Sequence, residues 1–227
     1  MLALSCLAVF WSGPAQTYGV SVFVDPMLQD FSWSRSLFST LYSAGTLVSA
    51  GVLVLAGRQI DRVGNRLIFV IAAALFGATM LFLSTASGIV AVLLGFACLR
   101  SFGSGVLTLG ARTLIPHWFH TRAGRAFSIL GLAAMASQAI IPTFNNALIE
   151  RFGWHDAWRI NGLIIWIVVL PALALFVRNR PEDVGQQADG RPSRQDAPPR
   201  PAADTGATLG EALRTPTFWC LIGASDK

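Results

Sequence analysis

The chain has 227 residues, of which 53% are hydrophobic and only 13% charged, with a mean hydropathy of +0.56. A soluble domain carries about 25% charge, so this is the composition of a membrane protein and excludes an ordinary water-soluble fold. The formal net charge of +5 sits in links between apolar runs, which membrane topology explains better than nucleic-acid binding.

The start, Met1-Leu2-Ala3-Leu4-Ser5-Cys6-Leu7, has no basic region ahead of its apolar residues, which argues against a cleaved signal peptide. Six apolar runs follow in chain order, at residues 2–24, 37–56, 67–84, 88–111, 126–149 and 161–177, and a seventh begins at Phe218. A helix needs roughly 20 residues at about 1.5 Å each to cross a bilayer, so each run is read as a span. Links on one side carry Arg58, Arg62, Arg66, Arg122 and Arg125, with many more arginines after Val177. Those on the other side carry only Arg35, Arg151 and Arg159, which places the N-terminus in the cytoplasm. Trp33, Trp154 and Trp158 outside and Trp118 inside mark headgroup levels. Residues 178–207 turn rich in Arg, Pro, Asp and Gln and cannot bury a core, so they read as a mobile cytoplasmic linker. Thr208-Leu209-Gly210-Glu211 is a capping-box pattern that would open a short helix before the seventh span, within a third region at 208–227.

The link at residues 57–66 is Gly-Arg-Gln-Ile-Asp-Arg-Val-Gly-Asn-Arg, an island of charge that forces its two flanking spans into a hairpin. Its charge alone would suit any cytoplasmic loop. Its spacing resembles the signature loop of the major facilitator superfamily, G-x-x-x-D-R-x-G-x-R, through Gly57, Asp61, Arg62, Gly64 and Arg66. Gln59 and Asn65 depart from the family's usual leucine-like and basic residues. The resemblance implies an all-α membrane protein, here a six-helix N-terminal half-bundle, and a conformational latch at those five residues. The family plan pairs two such halves around a shared midplane site. Further stretches resemble the bacterial monocarboxylate-transporter and oxalate/formate-antiporter branch. They are Gly13-Pro14-Ala15-Gln16-Thr17, Ser34-Arg35, Arg122-Ala123-Gly124-Arg125-Ala126, Phe152-Gly153-Trp154 and Arg180-Pro181-Glu182-Asp183-Val184-Gly185.

Polar residues at membrane depth face the bundle interior or water. Arg100, Ser104 and Thr108 recur every fourth residue in the fourth span, on one helix face. Gln138, Pro142 and Asn145 share a face of the fifth; Pro14, Thr17 and Ser21, with Gln16 adjoining, mark the first. Ser36, Ser39, Ser43 and Thr46 mark the second, whereas the third and sixth are nearly bare. That division matches the family's half-bundle, in which spans one, two, four and five face the pathway. The candidate pathway is Gln16, Thr17, Arg100, Ser104, Gln138 and Asn145. Small polar residues also serve helix packing, as Gly45/Ser49 and Ser101/Gly105 can.

Arg100 lies about 18 Å into its span, near the midplane of a core about 30 Å thick. No acid occurs within the six runs. Its counter-charge is therefore a substrate anion, a backbone carbonyl, or an acid in a second half-bundle. A pathway arginine without an acid suits the small organic anions that the branch carries. The expected function is secondary active transport of such an anion across a bacterial inner membrane. The expected partners are that anion, the lipid bilayer, and a second half-bundle or second copy. A transport-inactive membrane subunit is the alternative. Cys6, Cys98 and Cys220 lie far apart in apolar runs, so neither a disulfide framework nor a metal site is implied. No cofactor is expected. His117, His120 and His155 fall at interfaces without an H-E-x-x-H pattern, which weighs against an enzyme.

Overall fold

A computed structural model describes residues 1–179 together with Pro181, Gly185 and Thr215. Most of the linker at 178–207, the capping-box pattern and the start of a seventh span lie outside the described residues, as does the side chain of Asp61. All regular structure among the described residues is helical.

The first apolar run is not one helix. Helix α1 (Leu2–Trp11) gives way to a 3-10 turn at Gly13–Ala15, and α2 (Thr17–Phe31) resumes beyond it. Pro14 has no N–H to donate into α1, and Gln16 takes an extended backbone (φ −76°, ψ 160°) that offsets the second helix from the first. The expected bend at Pro14 is thus a full break, and α2 continues past residue 24 to a left-handed Ser32 (φ 53°). Ser34 Oγ then accepts from Leu37 N–H at 3.2 Å and caps α3 (Arg35–Val63).

The charged link at 57–66 is not a ten-residue loop. Helix α3 runs through Gly57, Arg58 and Arg62, and the chain reverses at Gly64 alone before α4 (Asn65–Leu83). Gly64 sits at φ 94°, ψ 157°, where a residue with a Cβ is strained. Helix α5 (Ile89–Cys98) then passes without interruption into a π-helical stretch, Leu99–Leu107, and on into α6 (Thr108–Trp118).

Helix α7 (Ala123–Ile164) has 42 residues, and its helical angles fail only at Gly153 (φ 80°, ψ 165°). Asn161 Nδ2 donates to Asn145 Oδ1 at 3.0 Å although sixteen residues separate them. Along a straight helix that separation is about 24 Å, so the arms before and after Gly153 fold back on one another. The polar link expected at 150–160 is accordingly helical on both sides of one glycine. A π turn at Ile165–Val169 leads into α8 (Leu170–Phe176).

Packing is helix on helix. α3 lies along α5 and the π stretch, α1 along α6 and α7, and α4 along α7 and α8. The core is aromatic and dense, with Phe23 stacked on Trp158 at 4.0 Å between ring centroids and Phe76, Met80 and Leu83 fully buried. The outer surface is apolar too: Leu47 is 77% exposed, Val90 68% and Ile167 70%. Against acyl chains such side chains carry no penalty; in water they would drive aggregation. Among the described residues, four helical segments, Arg35–Ile60, Asn65–Leu83, Ile89–Trp118 and Ala123–Phe176, are long and apolar enough to cross a membrane.

Candidate functional site: a broken helix beside a lone arginine

The break in the first segment frees backbone groups that an unbroken helix would satisfy, and neighbouring helices meet some of them. Ser137 of α7 donates to Phe10 O at 2.7 Å, on the α1 side of the break. The same hydroxyl bonds Tyr18 OH, on the α2 side, at 3.0 Å. One serine therefore clamps both halves. Within the break, Ser12 Oγ donates to Val9 O at 2.7 Å, and Gln16 Nε2 reaches Ser12 Oγ at 3.4 Å.

Arg100 comes to the break from the opposite side, on the π stretch. Its Nη1 donates to Ala15 O at 3.4 Å, and its guanidinium carbon lies 5.3 Å from the centroid of the Tyr42 ring. The first is a long hydrogen bond and the second a cation–π contact. The Nε atom is buried and has no partner. No acid among the described residues pairs with Arg100. The described ion pairs lie elsewhere: Arg35 with Asp25, Arg159 with Asp156, and His155 with Asp30. Of the three sources of compensation open from the sequence, a backbone carbonyl is present and leaves the positive charge uncancelled. Tyr42 is fixed in turn by a hydrogen bond between its hydroxyl and that of Thr17, 3.1 Å apart. The π stretch widens the backbone turn that carries Arg100.

Three of the pathway candidates line two clefts, Gln16 and Gln138 the larger and Thr17 the smaller, while Arg100, Ser104 and Asn145 line neither. A cleft of about 540 Å³ is lined by Ser12, Gln16, Tyr18, Thr108, Arg112 and Gln138, with apolar walls from Phe127, Leu130 and Met135. A smaller one of about 370 Å³ is lined by Thr17, Ser21, Ser39, Tyr42 and Ser43 with Arg35. Gln16 and Thr17 are neighbours in sequence yet line different clefts, because the extended Gln16 backbone turns one side chain each way. Ser104 donates its hydroxyl back to Arg100 O at 2.9 Å, and Thr108 does the same to Ser104 O, so both protons are committed within their own helix.

Asn145 is not brought to this site. It is fully buried and accepts from Asn161 across the α7 hairpin, where the second arm covers the face that Gln138 leaves exposed. Sequence reasoning also passed over Tyr18, Tyr42, Ser137 and Arg112. Arg112 alone had a clear signal, as the next member of the series Arg100, Ser104, Thr108.

The signature residues gather at the α3–α4 reversal. Arg66 Nη2 donates to Ala174 O at 2.8 Å, among the orphan carbonyls at the end of α8, and Arg66 N–H donates to Asn179 Oδ1 at 2.8 Å. Asn65, where the family motif has a basic residue, is buried and donates to Gly110 O at 3.0 Å and Thr113 Oγ1 at 3.2 Å. The reversal at Gly64 is thus tied both to α6 and to the end of α8. Gly57 and Arg62 lie in the last turns of α3.

The family model described as Major Facilitator Superfamily matches residues 2–225. The riboflavin transporter RibJ of Trypanosoma cruzi is 28% identical over 173 residues, 73% of this chain and 36% of its own length. The 4-hydroxybenzoate transporter PcaK of Pseudomonas aeruginosa is 26% identical over 188 residues, 79% of this chain and 42% of its own. An uncharacterized MFS-type transporter of Mycobacterium tuberculosis is 28% identical over 148 residues, 62% of this chain and 24% of its own. The chain spans less than half the length of these relatives. With that match over nearly its whole length, an all-helical fold and an apolar outer surface, this multi-pass membrane protein belongs to the major facilitator superfamily.

Proposed function

We propose that this chain is a six-span N-terminal half-bundle of a secondary active transporter that carries a small organic anion by alternating access. The spans are α1 with α2, α3, α4, α5 with α6, and the two arms of the α7–α8 hairpin. The working protein pairs this bundle with a second half-bundle or a second copy. It lies in a bacterial inner membrane with its N-terminus in the cytoplasm, on the side of Arg58, Arg62, Arg66, Arg122 and Arg125. Residues 57–66 act as the conformational latch, fastened through Arg66 to the end of α8.

The observation that carries the reading is Arg100. A guanidinium at membrane depth costs at least ~2.5 kcal/mol to insert, and here a single carbonyl and one aromatic face attend it. A carboxylate brought to this guanidinium during the transport cycle would supply the missing charge, in the planar geometry that arginine favours. Thr17 and Tyr42 would position the rest of the solute from the smaller cleft. One relative named as a 4-hydroxybenzoate transporter makes an aromatic carboxylate a natural first test.

The test is uptake into proteoliposomes by the chain assembled with its second half-bundle, competed by carboxylates and by their neutral amides. Inhibition by the carboxylates and not by the amides is the expected result. Equal inhibition by both series would refute an anion carrier.

A further inference from the structure

The larger cleft lies between α1, α6 and the first arm of α7, displaced from Arg100 toward the arginine-rich end of the bundle. Its lining contains one charged side chain, Arg112. Arg112 is exposed, and no described residue gives it a hydrogen bond or an ion pair. The described acids are engaged elsewhere: Asp25 with Arg35, Asp30 with Trp154, Glu150 with Asn146 and Asp156 with Arg159.

The cleft is two-sided in its chemistry. Phe127, Leu130 and Met135 form an apolar wall, while Gln16, Gln138 and Tyr18 present amides and a hydroxyl. A small carboxylate with an apolar body matches both sides, its charge on the guanidinium and its body on the wall. The two arginines do not grip the two ends of one such solute. Twelve residues of helix separate them by roughly 18 Å, somewhat less across the π stretch, which exceeds the length of a small organic acid.

We propose that Arg112, with Gln16 and Gln138, forms a second carboxylate subsite, a station distinct from Arg100 at which the solute rests before leaving the arginine-rich end. This rests on the organic-anion reading above. A second cation in a cleft whose other polar groups are neutral gives the anion a place to rest after it leaves Arg100. Two single-arginine stations hold it less tightly than one site built from both, as release requires.

The test reads the two arginines separately. The chain assembled with its second half-bundle in phosphatidylcholine nanodiscs is labelled with phenylglyoxal, which modifies accessible guanidinium groups, and chymotryptic peptides are quantified by mass spectrometry. Benzoate is the probe and benzamide its neutral match. The expected result is that saturating benzoate slows labelling at Arg112 about fivefold or more while benzamide does not, as a charge-assisted contact requires. Gln138→Leu should weaken that protection severalfold and leave the unprotected labelling rate and the monodispersity unchanged. Gln16→Leu, on a different helix, repeats the measurement should Gln138→Leu fail to fold. No slowing at Arg112, or equal slowing by benzamide, overturns the subsite. Protection only on adding phosphatidylglycerol overturns it in favour of a lipid headgroup. Protection of Arg100 alone would keep the anion reading and sink the second station; protection at neither arginine would count against both.

Discussion

Replacing Arg100 separates its structural and functional roles by magnitude. The alanine variant loses a 3.4 Å bond to Ala15 O and a cation–π contact with Tyr42. Together these contribute about 1–2 kcal/mol at a half-buried site. Removing the charge from membrane depth returns at least ~2.5 kcal/mol on insertion scales. Arg100→Ala should therefore insert and purify at least as well as the parent, with an unchanged melting temperature within a few degrees. Its effect on an anion is the opposite. Loss of a charge-assisted contact costs about 1.5–3 kcal/mol, which is roughly 10- to 100-fold in uptake efficiency for a carboxylate. Arg100→Lys should recover part of this, because an ammonium restores the charge without the planar fork. The assay is initial-rate uptake of a radiolabelled carboxylate at several concentrations, alongside thermal unfolding in the same detergent. A variant that melts well below the parent, or that takes up carboxylates normally, would refute the argument and leave Arg100 a packing residue.

Four further substitutions probe the scaffold around it. Ser137→Ala removes the clamp on Phe10 O and Tyr18 OH and leaves both partly unsatisfied, so it should cost about 1–3 kcal/mol in thermal unfolding; an unchanged melting curve would count against the clamp. Gly64→Ala forces a Cβ into φ 94° and should cost about 1–3 kcal/mol, whereas Gly57→Ala, inside a helix, should be neutral or slightly stabilising when the two are compared by the same melts. Under the proposed latch, in which Asp61 would face a helix N-terminus of a second half-bundle, Asp61→Asn should cut transport severely with normal membrane insertion; near-normal uptake by that variant would end the latch assignment.

The apolar runs were legible because lipid imposes one rule on every span, and α4 departs from its expected limits by two residues or fewer. The links were not. Charge at a membrane surface reads as a loop, yet α3 continues as helix to Val63, because arginines are good helix formers and their side chains reach water from inside a helix. Only backbone angles show that Gly64, and not Gly57, makes the turn. Arg112 escaped notice because the fourth span was expected to end at residue 111, one short of it, while α6 runs on to Trp118. Gln138 and Asn145 look alike on a helical wheel. What separates them is the return of Asn161 sixteen residues later, a contact between two arms that no single-helix periodicity contains.

The surface of the bundle is divided, and the division says what must cover it. Leu47, Val90, Leu132 and Ile167 are exposed where lipid suits them. Thr17, Ser21, Ser39, Ser43, Arg112 and Gln138 are exposed as well, around the two clefts. Thr17 and Ser21 have partners in Tyr42 and Tyr18, but acyl chains cannot satisfy Ser39, Ser43, Gln138 and Arg112, which have none among the described residues; each hydroxyl or amide left unpartnered in hydrocarbon costs roughly 2–7 kcal/mol, and an arginine more. Several such groups together outweigh any gain from helix packing, so the polar face needs either water held by an apposed protein surface or that surface itself. Residues 1–227 reconstituted alone should therefore insert, associate through this face, and show no saturable carboxylate flux. Co-reconstitution with a matching second half-bundle should give flux that Arg100→Ala removes. Robust saturable uptake by the 227-residue chain alone, with a mass in nanodiscs of one copy, would refute the requirement for a partner. The same uptake from a two-copy particle would show that the chain supplies both halves itself.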